Sequence, residues 1–308
     1  MSAYAQALET DRRLLWGLCY RMTGNAADAD DLVQETFVRA IEKPPKWTDE
    51  PLRPWLVRVA INLSHDLLRR RRRQGYVGPW LPSPVPTDED SPASYEPPAP
   101  GEDSPVARYD LKESISFAFL LALEALTPSQ RAVLLLRDVM DYSTSDTAEA
   151  LDMTEANVKV VLLRARRKMK DYDKGGAAIS PARQKATRRA LEQFLLYLST
   201  RDAAGLERLL AEDVISLSDG GGQVRAALQP VRGRDKVLRL ILGLAKKSLV
   251  EPRFGIRMLN NLPTVLVEDL RSIPKAAARY TIHFEVDDEG RIRGLHAVLA
   301  PSKLSAIR

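Results

Sequence analysis

The chain has one cysteine, Cys19, in 308 residues, and only three histidines, His65, His283 and His296. A lone thiol excludes an intrachain disulfide and a multi-cysteine zinc site, and the histidines lack any metal-ligand spacing. No cofactor and no metal are expected, and a reducing, cytoplasmic setting fits. Aromatic residues make up 6% of the chain, which favours helix-rich packing. Long apolar runs are missing too. The most apolar stretch, residues 115–126, is interrupted by Glu124 and is shorter than the ~20 residues a membrane-spanning helix needs. The first residues have no charged-then-apolar signal pattern, so no membrane partner is expected. What the chain does have is clustered positive charge. Its formal net charge is +5, and residues 69–73 are five consecutive arginines. Such clusters suit nucleic-acid phosphates or anionic surfaces.

Periodicity divides the chain into helical blocks followed by a mixed region. In residues 8–22, Leu14, Leu15, Leu18 and Met22 form a helical stripe that Thr23-Gly24-Asn25 ends. A second helix, AADADDLVQETFVRAIEK, can be capped by Asn25. Its Asp28, Asp30 and Asp31 lie near the positive N-terminal end, where acids are favoured. Leu32, Val33, Thr36, Phe37, Ala40 and Ile41 are assigned to its inward face, and Pro44-Pro45 stop it. Asp31, Gln34, Glu35, Arg39 and Glu42 remain outside, either as a solvated face or as a docking surface for a basic partner. A third helix over about 51–73 has Leu52, Trp55, Leu56, Val59, Ala60, Leu63 and Leu67 as core positions. Arg58, Asn62, His65, Asp66 and Arg69 lie on or beside its opposite face.

Residues 75–109 change character. Nine prolines fall between positions 79 and 105, together with Asp88, Glu89, Asp90, Glu96, Glu102 and Asp103, which predicts an extended or disordered tether. Within it, Trp80 to Pro84 read WLPSP, and an exposed Trp in a tether calls for a partner. Beyond the tether, residues 110–126 should be buried, and Thr127-Pro128-Ser129-Gln130 is a capping box with proline at the first helical position. Residues 143–170 then read as two helices around a tight turn. Ser143 caps the first, Asp152 sits in the turn, and Thr154 caps the second. On that second helix Val158, Val161, Leu162, Ala165 and Met169 define a buried stripe, leaving Asn157, Lys159, Arg164, Arg166, Arg167, Lys168 and Lys170 outside. A helix of this kind fits a DNA major groove, although a solvated basic face would look alike.

The order of these segments carries a resemblance. DADDLVQETFVRAIEK followed by PLRPWLVRVAINLSHDLLRRRRR is similar to the second conserved region of extracytoplasmic-function (ECF) sigma factors. LTPSQRAVLLLRDVMDYS with TAEALDMTEANVKVVLLRARRKMK resembles their fourth region. The resemblance implies core RNA polymerase, through its β′ clamp helices and β flap, and promoter DNA as partners, with no catalysis by this chain. It implies core-polymerase contacts at Asp31, Gln34 and Glu35. Contacts with the −10 element are implied for Trp47, Arg58, Asn62 and His65, with residues 69–73, Arg69 and Arg70 among them, on phosphates. For the −35 element it implies base reading by Glu155, Asn157, Lys159 and Arg164, with Arg137, Arg166, Arg167 and Lys168 on phosphates. Val160 stands where a polar residue is common, and it can at best touch a thymine methyl. The expected domains are region 2 over 1–74, an acidic Pro-rich linker over 75–109, region 4 over 110–174 and a further domain over 181–308.

In the last third, helices are expected at 181–200, 202–210 and 233–247. Strands are expected at 214–218, 224–227, 253–259, 264–268, 277–287 and 292–299, which together suggest an α+β cone. The Gly-rich stretch Asp219-Gly220-Gly221-Gly222 reads as a tight hairpin. The overall class is thus two all-α domains plus one α+β domain. The last domain resembles the SnoaL-like branch of the nuclear-transport-factor-2-like (NTF2-like) superfamily that is fused to certain ECF sigma factors. Those fusions have DGGGK and NPDKL-like motifs and a WLPEP-like linker. The counterparts here are Asp219 to Gln223, Ala300 to Leu304 and Trp80 to Pro84, with Gln223, Ala300 and Ser302 departing from the pattern. The resemblance implies regulatory contacts at Trp80, Leu81, Pro82, Asp219, Gly220, Gly221, Gly222, Lys303 and Leu304, and an in-built regulator replacing a separate anti-sigma protein. Three alternatives stay open: a ligand-responsive helix-turn-helix regulator working without polymerase, a small-molecule pocket in the cone, and a cone enzyme using His283 or His296.

Overall fold

A computed structural model describes residues 3–45, 52–87, 108–174, 179–247, 253–268 and 275–307. The chain forms two compact units, one from residues 1–75 and 87–178, the other from 76–86 and 179–308. Trp47 and the acidic residues 88–103 lie outside the described residues.

The first unit is all helical. Helices α1 (Ala3–Thr23), α2 (Ala26–Glu42) and α3 (Leu52–Gln74) pack on one another. Gly24, at φ 63°, ends α1, and the Asn25 side chain accepts from the backbone N–H groups of Ala27 and Asp28 to begin α2. Next come α4 (Leu111–Ser114) and α5 (Phe117–Leu123), so the buried 110–126 segment is two short helices and not one. Ser116 makes the break: it adopts extended backbone, and its side chain accepts from the N–H of Phe119. Helix α6 (Pro128–Asp138) has the expected capping box between Thr127 and Gln130. Helices α7 (Thr144–Leu151) and α8 (Glu155–Lys174) flank a turn in which Asp152 is left-handed, at φ 52° and ψ 52°. Val133, Ala148, Val158 and Leu162 make the core of this helix-turn-helix.

Helix α3 buries a wider face than its stripe predicts. Val57, Ile61 and Ser64 are buried as well as Leu56, Ala60 and Leu63, whereas Leu52, Trp55, Val59 and Leu67 are half-buried. The reason is that α3 packs against α1 and α2 and also against α6 and α7. Two buried arginines join the region-2 and region-4 helices. Arg21 donates to the Gly17 carbonyl (2.9 Å), the Ser114 hydroxyl (2.7 Å) and the Leu111 carbonyl (3.0 Å). Arg131 donates to the carbonyls of Met22 (2.6 Å) and Leu123 (2.8 Å) and to the Glu124 carboxylate (2.7 Å). Burial lowers the Arg21 pKa to about 10, which still leaves it charged at neutral pH.

The second unit is α+β. Helices α9 (Pro181–Ser199), α10 (Ala203–Leu209) and α11 (Arg234–Lys247) pack on a six-stranded sheet of order β2-β1-β6-β5-β4-β3. The strands are β1 (Leu210–Asp219), β2 (Val231–Arg232), β3 (Arg253–Leu259), β4 (Leu262–Glu268), β5 (Arg279–Val286) and β6 (Ile292–Val298). Among the described residues, only the β1–β6 pair is parallel. On β5, Phe284 is in the helix–sheet core, with Tyr280, Ile282 and Val286 packed at its margin. The expected strand at 224–227 does not form. Residues 221–224 turn and bend instead, and β1 pairs with the two-residue β2, so the glycine stretch is not a hairpin.

Removing the Arg131 guanidinium leaves the Met22 carbonyl without this donor and the Leu123 carbonyl with the Leu126 N–H alone. Arg131→Ala should lower the unfolding free energy by about 2–4 kcal/mol, read from the shift of the urea midpoint at unchanged slope. A loss below about 0.5 kcal/mol would mean that the arginine does not hold these helices together.

Candidate nucleic-acid and polymerase surfaces and the linker clasp

On α2, Asp31, Gln34 and Glu35 are exposed, as the sequence predicts. Ile41 is not on the inward face: it is 66% exposed, and Val38 beside it is 45% exposed. The buried residues of α2 run from Ala26 to Ala40, and Ile41 lies beyond them in the last turn of the helix. The outer face therefore mixes acid with aliphatic surface. Asp30 is partly engaged, accepting from the Trp16 indole N–H at 2.7 Å.

The predicted −10 residues divide. Asn62, Arg69 and Arg70 are exposed, and Arg69 lies 3.7 Å from Asp66 one turn back. Arg58 is held, donating to the Glu149 carbonyl of α7 at 2.7 Å. His65 is half-buried, and burial lowers its pKa. Arg71 turns inward to the Thr23 carbonyl (2.9 Å) and pairs with Asp28, so it ties α3 to the α1–α2 corner. The arginine run therefore offers Arg69, Arg70, Arg72 and Arg73 outward.

The −35 set divides in the same way. Glu155, Asn157, Lys159, Arg164 and Arg167 are exposed on α8. Arg166 is not directed to phosphate: it makes a two-point ion pair with the buried Asp138 carboxylate, Nε to Oδ2 at 2.9 Å and Nη2 to Oδ1 at 2.6 Å. That pair raises the Arg166 pKa and locks α8 to α6. Arg137 is likewise taken by the Tyr142 carbonyl, and Lys168 donates to the Ala125 carbonyl at 3.0 Å. Sequence periodicity marks Arg166 and Lys168 as outward because it carries no information about neighbouring segments, and the phosphate role of Arg137 came from the resemblance.

In the second unit, a buried ion pair collects the segment 76–86. Asp219, at the end of β1, is fully buried, and its carboxylate accepts from four donors. They are Tyr76 Oη at 2.5 Å, the Leu81 N–H at 2.8 Å, the Gly221 N–H at 3.0 Å and Lys303 Nζ at 2.7 Å. Lys303, raised by the 3-10 turn Pro301–Lys303, also donates to the Leu81 carbonyl at 2.5 Å. Its ammonium lies 4.3 Å from the Trp80 ring centroid and 4.8 Å from that of Tyr76. The glycines permit this approach. Gly221 and Gly222 have φ of 55° and 73°, and a Cβ on Gly221 would lie 3.1 Å from the Tyr76 hydroxyl. Residues 81–85 are buried, and Asn260 holds the far end: its side chain accepts from the Val85 N–H, and its own N–H donates to the Val85 carbonyl. This stretch is thus part of the C-terminal unit, in keeping with the contacts expected at Trp80, Leu81 and Pro82 within the tether.

Of the residues assigned to this clasp, Trp80, Leu81, Asp219, Gly221, Gly222 and Lys303 come together. Pro82, Gly220 and Leu304 flank it. Tyr76 and Asn260 were missed; a tyrosine beside a Pro-rich stretch was the available signal for the first, and Asn260 had none. The two departures from the family motifs meet: Gln223 donates to the Ser302 hydroxyl at 2.8 Å, and its amide oxygen accepts from the Ser302 N–H at 3.3 Å. His283 and His296 are cross-strand neighbours on β5 and β6, both buried. His283 lies within hydrogen-bond distance of Thr264 (3.1 Å) and Thr281 (3.4 Å), and burial lowers its pKa to about 3.

These surfaces can be set beside known proteins. The family models for Sigma-70 region 2 and Sigma-70, region 4 match residues 8–74 and 116–169. Two matching regions in this order define a sigma-70-type initiation factor. The chain is 33% identical to the ECF RNA polymerase sigma factor SigJ of Mycobacterium tuberculosis, covering 78% of this chain and 72% of that one. It is 37% identical to SigG of the same species, over 61% of this chain and 55% of SigG's length. The crystal structure of M. tuberculosis SigJ superposes with a TM-score of 0.72 at 27% identity, covering 97% of both chains. The chain belongs to the ECF RNA polymerase sigma factors, and its C-terminal unit has the expected α+β architecture.

Asp219→Ala strips four donors of their acceptor and leaves the Lys303 ammonium buried and unpaired, a loss of about 3–5 kcal/mol. Residues 76–86 should come off the domain. Chymotrypsin should cleave after Tyr76 and Trp80 at least tenfold faster, and Trp80 emission should move to the red, while far-UV circular dichroism is retained. Wild-type cleavage rates in the variant would contradict the clasp.

Proposed function

We propose that this sigma factor docks on core RNA polymerase through the outer face of α2, using Asp31, Gln34 and Glu35 around Val38 and Ile41. The observation that carries this reading is the make-up of that face. An exposed aliphatic pair ringed by carboxylates and an amide suits a partner that is basic and partly apolar. Promoter contacts follow from the exposed cations. Asn62, Arg69 and Arg70, with Trp47, serve the −10 element. Glu155, Asn157, Lys159, Arg164 and Arg167 serve the −35 element. Arg58 joins the −10 set only when it leaves Glu149, so promoter engagement requires α3 and α7 to separate from the arrangement described above.

The domains in this reading are region 2 over 1–74, region 4 over 110–174 and a regulatory NTF2-like domain over 181–308, with the linker divided at about residue 87. The C-terminal domain acts in cis, in the place of a separate anti-sigma protein, by holding the first part of the linker on the Asp219–Lys303 clasp. It is not a catalyst in this reading. His283 is buried, stays neutral at physiological pH and is bracketed by threonine hydroxyls, an arrangement that suits a structural residue.

Purified chain added to core polymerase should give promoter-specific initiation. The double substitution Glu35→Arg/Ile41→Asp should weaken core association at least tenfold while leaving binding of isolated promoter duplex unchanged. Tight DNA binding with no core association by the wild type would instead favour a helix-turn-helix regulator that works alone.

A further inference from the structure

The outermost line of α8 is apolar. Ala156, Val160 and Leu163 follow one another at steps of four and three, with Arg167 four residues further on, so they share one helical face. Val160 is 45% exposed and Leu163 53% exposed. The opposite face of the helix, Val158, Leu162, Ala165 and Met169, is the buried one. Leu163 is therefore not a core residue at the margin of its stripe. Exposed Lys159 and Arg164 flank the line and Arg167 closes it, which gives an aliphatic ridge bordered by cations.

We infer that this ridge reads thymine methyl groups in the major groove of the upstream promoter element. The inference rests on the assignment of α8 to that element and specifies its chemistry. The flanking cations select a polyanion over an apolar protein partner. In the major groove the C5-methyl of thymine is the distinctive apolar feature that a base pair presents. From Ala156 to Leu163 the helix advances about 10 Å, or about three base steps. Val160 and Leu163 thus reach methyls on neighbouring steps, and Lys159, Arg164 and Arg167 meet the bordering phosphates. Specificity at these positions comes from shape and apolar contact and not from a hydrogen-bonding side chain.

The test uses holoenzyme made from the full chain and core polymerase, selecting from a duplex pool randomised in the upstream element. Wild type should enrich thymine at two neighbouring steps, and Val160→Ser and Leu163→Ser should each lose the preference at one of them. Replacing those thymines by deoxyuridine removes only the methyl. It should weaken wild-type binding about fourfold per position, the effect of burying one methyl, and leave the matching serine variant unchanged. Wild type indifferent to deoxyuridine, or serine variants that keep the wild-type preference, would overturn the inference. Serine variants that lose core affinity with the preference intact would overturn it in favour of a protein contact. A wild-type holoenzyme selecting no sequence in this segment would overturn both the inference and the −35 assignment beneath it.

Discussion

The ion pair between Asp219 and Lys303 is the constraint on which the C-terminal unit is built. Neither charge can be buried alone, because an unpaired ion in a protein interior costs several kcal/mol. Asp219 meets this by taking four donors, and Lys303 by donating to the carboxylate and the Leu81 carbonyl and facing two aromatic rings. Three of these partners, Tyr76, Trp80 and Leu81, come from a segment more than a hundred residues away in sequence. Burial of the pair is therefore coupled to the position of the linker. A released segment takes the Leu81 carbonyl and both rings from Lys303 and two of the four donors from Asp219, and a seated one satisfies both charges. This coupling makes the segment suited to be a switch.

The helical unit uses the same physics with arginine. Arg21 and Arg131 are buried and satisfied mainly by backbone carbonyls, Gly17 and Leu111 for the first and Met22 and Leu123 for the second. Arg71 and Arg166 are fixed by carboxylates, and Arg58 by a carbonyl of α7. A strongly basic chain thus spends many cations on its own architecture. Among those that remain exposed are Arg69, Arg70, Arg72 and Arg73 at the end of α3 and Lys159, Arg164 and Arg167 on the outer side of α8, the faces proposed to meet promoter DNA.

Much of this was legible in the sequence. Local signals set the caps at Asn25, Thr127, Ser143 and Thr154 and the left-handed Asp152, and the structure has all of them. Motif resemblance brought Trp80, Asp219 and Lys303 to one place. The misses have a common cause, which is that periodicity sees a helix in isolation. It placed Ile41 inside and Arg166 outside because it cannot tell where the cover of a neighbouring helix ends or that Asp138 of α6 faces Arg166, whereas Arg137, put on phosphate by the resemblance, is taken by the Tyr142 carbonyl. The strand expected at 224–227 failed for another reason. The glycines before it serve the approach of Tyr76 and Val77 and not a hairpin.

The central claim is that the seated linker segment controls the sigma factor, and transcription by reconstituted holoenzyme carrying Lys303→Met tests it most directly. The substitution keeps the apolar stem against Tyr76 and Trp80 but removes the charge that satisfies Asp219. At matched core occupancy, output from one promoter should change at least about threefold relative to wild type, with hydrogen exchange at the Leu81 amide accelerated. Unchanged output alongside accelerated exchange would show that the segment can leave the domain without consequence for initiation, and would contradict the claim.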